Sequence, residues 1–563
     1  MKKNIIFLFI TLLFLTLSGC DNKDDIEDRL TPDTSFRKDE SEMFTARDND
    51  ESYDVNNGIT VQLNGNSIAC TSDKVRINGS TITIVDEGTF IISGSLDNGK
   101  IVVDADASDK PHLVLNEVSI TNENFASLYI SQADKVFVTL ADGTTNKFIN
   151  GGSFVTIDSN NVDGVVYSKQ DLTFNGNGSL IISSPNGHGI VCKDDLVFVN
   201  GLFNINSNGH GLDVNDSIRI KNSKLSIVSN SDGIHCENVD DSTLGYVYIF
   251  NVDIEINASD DGISSSTLQI EDGTFNINAG LTYTSTNTSL KGLKTTLSML
   301  INGGDFSINS NDDAVHSNSS IIVNDGDFEI ITNDDGFHAD ETVQITGGTI
   351  NVLDSYEGLE GLTINVSGGD ISVIASDDGI NAAGGADSSG FSNGRVPGMP
   401  PGGPGGGRPE DNFGGGNIPS GDGYIEISGG PIYIEALGDG IDSNGNLAIL
   451  GGVVYVCGPT IGDTSVLDYD GTGIISGGEF YGTGANKMVQ SLTGNDCGVL
   501  AVSVGNQSAG STVLIKNSKG VIVSEFTPNL PYQIVIISNY EIVKGETYSI
   551  LIDSILIKQT SIK

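Results

Sequence analysis

The fold is decided by four related stretches, NDDAVH (residues 311–316), NDDGFH (333–338), SYEGLE (355–360) and SDDGIN (376–381). In each stretch, one or two acidic residues precede a small residue, an apolar residue and a polar or charged residue. The small residues follow one another at steps of 22, 22 and 21, and they are Ala314, Gly336, Gly358 and Gly379. A fixed period of this length, with β-type composition, predicts a solenoid of stacked repeats.

The same small residue can be followed on both sides of these stretches. Its other occurrences are Gly164, Gly189, Gly211, Gly233, Gly262, Gly292 and Gly440. Within one repeat, such as residues 336–355, short alternating apolar runs are separated by the Gly347-Gly348 turn. Three short strands per repeat are typical of an all-β, single-stranded parallel β-helix with about 22 residues per coil.

Composition limits the classes of partner. The chain has 563 residues, 74 of them acidic and 28 basic, which gives a net charge of −46. This balance argues against nucleic acid or an anionic lipid surface as a partner. The 71 glycines and many Asn-Gly and Asp-Gly steps supply the turns that a β-rich protein needs. Bound cations or plain solvation could each relieve the self-repulsion.

The N-terminal stretch, residues 1–20, resembles a bacterial lipoprotein signal. Lys2 and Lys3 precede a short apolar run, and LSGC ends at Cys20, the predicted lipidation site. Residues 21–25, DNKDD, resemble an acidic surface-export tag. We therefore expect a protein anchored by lipid to the bacterial outer membrane, at the cell surface, with residues 21–56 as a flexible tether. The membrane would be contacted through this anchor only.

The remaining cysteines do not form a disulfide framework. There are five of them after Cys20, an odd number. Cys192 and Cys236 lie two predicted coils apart, roughly 9–10 Å, which is beyond disulfide reach. We expect buried free thiols.

The repeat arranges acidic side chains in columns, because equivalent positions of successive coils stack about 4.8 Å apart. Neighbouring carboxylates at this spacing repel by roughly 1 kcal/mol in water and more when partly buried. Calcium, which takes six to eight oxygen ligands, would relieve that repulsion. The alternative is that Asp-Asp-Gly only builds each corner by capping turn amides. The carboxylate count favours calcium, with these candidate ligands: Asp232, Asp260, Asp261, Asp312, Asp313, Asp334, Asp335, Glu357, Asp377, Asp378, Asp439 and Asp442.

Histidines and lysines interrupt the acidic columns. Five of the six histidines fall in them, and stacked, hydrogen-bonded surface residues are favoured over metal ligands. Lys291 and Lys294 would neutralise neighbouring carboxylates, contact a sugar carboxylate, or act as the base of a β-elimination. A lysine between carboxylates keeps a high pKa, so contact is favoured over catalysis. The candidate sugar-binding residues are Lys291, Lys294, His316, His338, Tyr356 and Glu360.

Several longer stretches resemble a family of bacterial cell-surface carbohydrate-binding proteins. They are GTFIISGSLDNGKIVVDA (88–105), LNEVSITNENFASLYISQADKVFVTLADGTTN (115–146), SYEGLEG (355–361), the Gly/Pro-rich insert (384–423) and KGETYSIL (544–551). The resemblance covers residue 58 to the C-terminus. It implies a calcium-associated, right-handed parallel β-helix, related in fold to pectate lyases, that binds acidic sugars and plant cell-wall polysaccharide. It supplies no catalytic residues.

We therefore expect a parallel β-helix over residues 57–483, including the Gly/Pro-rich loop, and a small antiparallel β cap over 484–563. The expected function is calcium-dependent binding of acidic (polygalacturonate-like) or plant cell-wall polysaccharide by a monomer. One alternative is a calcium-dependent polysaccharide lyase that uses Lys291 or Lys294. The other is a structural adhesin whose ladders serve stability alone.

Overall fold

The structure is a computed structural model that describes residues 32, 34–156, 161–280, 289–383, 422–460, 464–495 and 497–562. The predicted signal peptide with Cys20, and residues 384–421 of the predicted Gly/Pro-rich loop, lie outside these residues. The described chain is all-β apart from one short helix, α1 (Glu40–Met43). No described helix has the length and apolar character that a membrane crossing requires.

Most strands belong to one continuous sheet, which contains 45 of the strands in the described ranges. Its N-terminal part, up to residue 150, contains β1 (Ile59–Gly65), β2 (Ser67–Ala69), β3 (Val75–Asn78), β4 (Thr81–Ile84), β5 (Thr89–Leu96), β6 (Lys100–Asp104), β7 (His112–Asn122), β8 (Leu128–Gln132), β9 (Lys135–Leu140) and β10 (Thr145–Asn150). The strands β1 and β2, and likewise β3 and β4, pair antiparallel, whereas β1 pairs with β5 in parallel. The regular stack therefore begins after an irregular end.

The central part follows the repeat period most closely. Its strands are β11 (Gly164–Ser168), β12 (Asp171–Asn175), β13 (Ser179–Ser184), β14 (His188–Cys192), β15 (Asp195–Val199), β16 (Leu202–Ser207), β17 (Leu212–Val214), β18 (Ser217–Lys221), β19 (Lys224–Ser229), β20 (Ile234–Cys236), β21 (Tyr246–Ala258), β22 (Ile263–Ser265), β23 (Thr267–Asn278), β24 (Leu293–Thr295), β25 (Ser298–Ile301), β26 (Asp305–Ser310), β27 (Val315–Ser317), β28 (Ser320–Val323), β29 (Asp327–Thr332), β30 (Phe337–Ile345), β31 (Thr349–Ser355), β32 (Leu359–Val366), β33 (Asp370–Ala375) and β34 (Ile380–Ala382). They pair in three parallel rows; β24, β27 and β30, for example, follow one another in one row.

Alternation along each strand builds the core. In β26 the burial pattern alternates between exposed and buried, and Phe306 and Ile308 point inward. The register between β26 and β29 pairs Phe306 with Phe328, its equivalent in the next repeat. The rings of Phe275, Phe306 and Phe328 stack with centroids 4.6 and 4.5 Å apart. Successive repeats thus place like side chains on like, both across the regular step of 22 from Phe306 to Phe328 and across the longer step of 31 from Phe275 to Phe306.

Close approach of successive repeats explains the small residue at each corner. A Cβ added at Gly358 would lie 2.2 Å from Val373 Cγ1 and 2.4 Å from the carbonyl oxygen of Gly379. At Gly292 it would lie 2.5 Å from the carbonyl oxygen of Ala314. Larger side chains at these corners would push neighbouring repeats apart. A small residue therefore recurs once in each repeat because only a small residue fits there.

Beyond residue 421 the rows continue and then end. The strands are β35 (Gly423–Ile427), β36 (Pro431–Ala436), β37 (Ile441–Ser443), β38 (Gly445–Ile449), β39 (Val453–Cys457), β40 (Leu467–Tyr469), β41 (Gly473–Ile475), β42 (Glu479–Gly484), β43 (Thr493–Gly494), β44 (Leu500–Gln507), β45 (Val513–Asn517), β46 (Ile522–Phe526), β47 (Tyr532–Ser538), β48 (Thr547–Ile552) and β49 (Ile555–Ser561). Strand β47 pairs antiparallel with β42 and β44. Strands β46, β45, β48 and β49 form a separate antiparallel sheet over a second apolar core. The parallel rows thus meet antiparallel strands at their C-terminal end.

The cysteines are free, as predicted. Cys192, Cys236 and Cys457 are buried, and Cys70 and Cys497 are partly buried. Burial raises the pKa of the Cys236 thiol well above its ordinary value. These thiols therefore pack as small apolar groups.

The predicted flexible tether is wrong for residues 34–56, which pack on the stack. Asp48 is fully buried, and its carboxylate lies 2.9 Å from Lys135 Nζ and accepts a 2.6 Å hydrogen bond from the Thr173 hydroxyl. The Phe44 ring packs edge-on against Tyr248 with centroids 6.0 Å apart. The average composition of this segment is polar and does not reveal these contacts, because two or three side chains are enough to hold the segment on the stack.

Asp48→Asn is expected to release this segment. Burial alone would raise the pKa of Asp48, but hydrogen bonds from Thr173 and Thr45 and the Lys135 ammonium outweigh it and lower the pKa. The stabilisation is therefore complete above the ordinary pKa of 3.8 and is lost as pH falls through the lowered folded value. We expect a loss of about 3 kcal/mol of docking energy, because Lys135 is left buried without its partner.

Limited proteolysis after Arg47 at pH 7 measures this release. The Asp48→Asn variant should be cleaved much faster than the parent, and the parent should approach the variant's rate under an acid-tolerant protease below pH 3. Asp54→Asn, an exposed carboxylate bonded only to its own turn, is the control. Equal cleavage of both variants would contradict the role of Asp48.

Candidate functional site

The acidic residues that precede the small residue of each repeat lie at the corners of the stack. Hydrogen bonds link them from one repeat to the next, and we call this row the ladder. The Asp335 backbone N–H donates to Asp313 Oδ1 at 3.2 Å, and the Glu357 N–H donates to Asp335 Oδ1 at 3.1 Å. The Asp261 N–H likewise donates to Asp232 Oδ1 at 3.0 Å, and Lys291 N–H reaches Asp261. One oxygen of each carboxylate thus caps the next corner. The corner-capping interpretation is confirmed for these oxygens. The second oxygen of each carboxylate remains available to contact a lysine, a histidine or a metal ion.

Lys291 supplies a cation inside the ladder. Its Nζ lies 3.0 Å from Asp312 Oδ1 and 2.7 Å from Asp313 Oδ2, and all three side chains are buried. Burial by itself would lower the pKa of Lys291, but the two carboxylates raise it above its ordinary value. This ammonium offsets part of the negative charge at the corner where Asp312, Asp313 and Asp334 come together.

Lys294 makes a similar but more open pair. Its Nζ lies 2.9 Å from Glu237 Oε1 and 3.3 Å from Asp261 Oδ2. These carboxylates outweigh desolvation and raise its pKa. The predicted neutralisation of Asp261 and Asp313 by the two lysines is therefore confirmed. Both lysines stay protonated at neutral pH, which is unfavourable for a proton-abstracting base.

His316 and His338 form a buried stack. Their ring centroids are 5.0 Å apart, and His316 Nδ1 lies 2.8 Å from Asp313 Oδ2. His338 Nδ1 lies 3.1 Å from Asp335 Oδ2 and 2.7 Å from Glu360 Oε2. Burial would lower the pKa of His338, but Glu360 and Asp335 raise it well above its ordinary value. For these two histidines the predicted stacking is confirmed, whereas the predicted surface position is wrong.

Burial also corrects the predicted sugar contacts. Lys291, His316 and His338 are only 4%, 6% and 1% exposed, too little for contact with a polymer. Glu360 is partly buried and held by His338, whereas Tyr356 is 41% exposed. Tyr356 is thus the most accessible of the predicted contacts, and Lys294 is partly accessible.

Three carboxylates form a group of a different kind. Oxygens of Asp378, Asp439 and Asp442 lie within 4.8 Å of one another. Burial, and then the neighbouring carboxylates, raise the pKa of Asp378 to about 9, of Asp439 to about 6 and of Asp442 to about 7. The other charged groups that contribute most are the carboxylates of Asp377, Asp468 and Asp470. The group offers only carboxylate oxygens as ligands, which is the ligand type that calcium prefers.

The remaining predicted ligands lie along the same edge. Glu357 is partly buried, its pKa is raised by desolvation and by Glu360, and the Asn381 amide donates to both its oxygens at 3.1 and 3.0 Å. Asp260 is partly buried, and desolvation followed by the carboxylates of Asp232 and Asp261 raises its pKa. Glu357 thus belongs to the ladder, and neither Glu357 nor Asp260 is part of the Asp378 group.

Sequence reasoning missed Glu237 and Asp468. Asp468 pairs with Asp442 in the register of β37 and β40, at a step longer than the regular period, which the period therefore does not reveal. Glu237 binds Lys294 and accepts a hydrogen bond from the Ser264 hydroxyl. Asp468 becomes visible only when a longer step between repeats is allowed, whereas Glu237 lies four residues after Gly233, outside the predicted acidic columns.

Comparison with known proteins gives the family. A family model described as "Carbohydrate-binding domain-containing protein" matches residues 78–336. A protein of Acetivibrio thermocellus with the same description is 40% identical over 195 residues, which cover 34% of this chain and 68% of that protein. A solved structure, described as the polysaccharide lyase-like protein from C. thermocellum in a gadolinium derivative, aligns with 51% of this chain and 96% of its own at 23% identity and a TM-score of 0.36. The chain belongs to the family of carbohydrate-binding domain-containing proteins.

Proposed function

We propose that the protein binds acidic, polygalacturonate-like polysaccharide through calcium held at the corners of a right-handed parallel β-helix. In this proposal the protein is a monomer attached to the outer membrane through lipid on Cys20. Family membership supports polysaccharide as the ligand class. The observation that carries the calcium is the group of Asp378, Asp439 and Asp442, whose partly buried carboxylate oxygens lie within 4.8 Å of one another and whose pKa values are raised.

Calcium would link the protein to the sugar. Asp378, Asp439 and Asp442 would hold it, because each offers an oxygen and no side-chain cation is among the main influences on their pKa values. Calcium takes six to eight oxygens, so three carboxylates leave positions for water or for a sugar carboxylate. When bound, the ion supplies positive charge to a surface that otherwise repels acidic polymers.

The raised lysine pKa values favour binding over elimination. Lys291 and Lys294 are engaged by carboxylates and remain protonated. Neither is therefore poised to take a proton from a uronic acid. The lyase alternative is checked by incubating the protein with polygalacturonate and calcium and following the ultraviolet absorbance of unsaturated products.

Retention of the protein on immobilised polygalacturonate tests the binding. We expect binding in millimolar calcium and at least a tenfold loss of affinity in chelator, or after Asp442→Asn in calcium, because the bridging ion is lost. Asp327→Asn is the matched control, since Asp327 is an exposed carboxylate in a different row of strands. Unchanged binding in chelator, with the fold intact by circular dichroism, would refute the proposal.

A further inference from the structure

Two histidines and one aspartate meet upstream of the lysines. His210 and Asp232 are the residues before the corner glycines Gly211 and Gly233, and His235 lies in β20. Asp232 Oδ2 lies 3.4 Å from His210 Nδ1 and 2.8 Å from His235 Nδ1. Ligand atoms of all three lie within 4.8 Å of one another. The register of the stack alone brings them together.

Backbone hydrogen bonds orient these side chains. Asp232 Oδ1 accepts the Asp261 N–H, which leaves Oδ2 facing the two rings. His210 Nδ1 accepts the Asp232 N–H at 3.2 Å, so this nitrogen carries a lone pair rather than a proton. The same lone pair lies 3.4 Å from a carboxylate oxygen. Because this nitrogen has one lone pair, a metal ion bound at His210 Nδ1 would replace the hydrogen bond from the Asp232 N–H.

The ligand set differs from that of the Asp378 group. Imidazole nitrogens suit Zn²⁺, Cu²⁺ and Ni²⁺, whereas calcium takes oxygens. At Zn–N and Zn–O distances near 2.0–2.1 Å, tetrahedral ligands lie about 3.3 Å apart. His235 Nδ1 and Asp232 Oδ2 are 2.8 Å apart and hydrogen-bonded, and His210 Nδ1 is 3.4 Å from the same oxygen, so small side-chain shifts would give the tetrahedral spacing. Two histidines and one carboxylate fill three positions and leave a fourth for water or another ligand.

The surroundings favour a dication that enters from solvent. The His210, Asp232 and His235 side chains are 23%, 10% and 27% exposed, so the site is reachable. The carboxylates of Asp213 and Glu237 lie near His235, each also paired with a lysine. We propose that His210, Asp232 and His235 form a zinc-class transition-metal site, separate from the calcium group and independent of polysaccharide binding.

Zinc titration of the full chain tests this assignment. The protein, without a histidine tag, is held in millimolar calcium so that oxygen-only groups are filled, and zinc is added in a calorimeter. We expect one saturable site per chain, and at least tenfold weaker binding in His210→Gln and in His235→Gln. Cobalt should give visible absorption bands of nitrogen-ligated, low-coordinate Co²⁺ in the parent and not in the double variant.

Two control variants make the result decisive. His188→Gln changes a ring that stacks on His210 with centroids 5.1 Å apart but is outside the group, and it should keep zinc affinity within threefold. His316→Gln changes a second, buried histidine group and should also keep it. The absence of saturable zinc binding, its persistence in the His210→Gln/His235→Gln variant, or its loss in His316→Gln instead would overturn the proposal.

Discussion

Lys291→Met is expected to destabilise the centre of the stack by about 3–5 kcal/mol, because it leaves Asp312 and Asp313 buried without their cation. Methionine replaces the four-atom stem of the lysine side chain and removes only its ammonium group, so the packing of the stem changes little. Hydrogen exchange of β24 and β27, together with the thermal midpoint, measures the effect locally, since repeat stacks need not unfold in one step.

The same variant should gain a response to calcium. Without the ammonium, oxygens of Asp312, Asp313 and Asp334 lie within 4.8 Å of one another, and calcium could replace the lost charge. We expect calcium to restore much of the stability of Lys291→Met. Lys224→Met, which breaks an exposed pair with Asp253, is the control and should change little. A Lys291→Met protein as stable as this control in chelator would rule out a stabilising ion pair.

Calcium removal at pH 8 is the second large effect we expect. The folded pKa values of Asp378, Asp439 and Asp442, about 9, 6 and 7, lie above the ordinary value of 3.8. The unfolded chain therefore loses these protons first, so their contribution to stability is greatest below pH 3.8. In chelator, stability should fall as pH rises from about 4 towards 9.

Bound calcium should remove most of this pH dependence. At a free concentration one hundred times its Kd, calcium would stabilise the fold by about 2.7 kcal/mol. Thermal unfolding at pH 5 and pH 8, with calcium or chelator, measures both effects. The Asp378→Asn/Asp442→Asn variant should lose the calcium response and much of the pH dependence, whereas Asp327→Asn should keep both. A calcium response that survives in the double variant would place the ion elsewhere.

Much of the ladder could be read from spacing. The period predicts that Asp313, Asp335 and Glu357 occupy successive corners, and their backbone hydrogen bonds run from one to the next. The neutralising role of Lys291 also follows from its place in the column. Spacing could not reveal that Asp468 pairs with Asp442, because an insertion lengthens that step beyond the regular period.

The sequence by itself determined the β-rich repeat, the small corner residues and the columns of charge, because each depends on one regular period along a single chain. Only the tertiary structure decided which charges are buried, which are paired by Lys291 or His338, and that residues 34–56 pack on the stack. Those outcomes depend on the second oxygen of each carboxylate and on side chains from several repeats. The orientation and the burial of each corner side chain depend on residues that are close in space but distant in the chain. The spacing of residues along the sequence does not give this information.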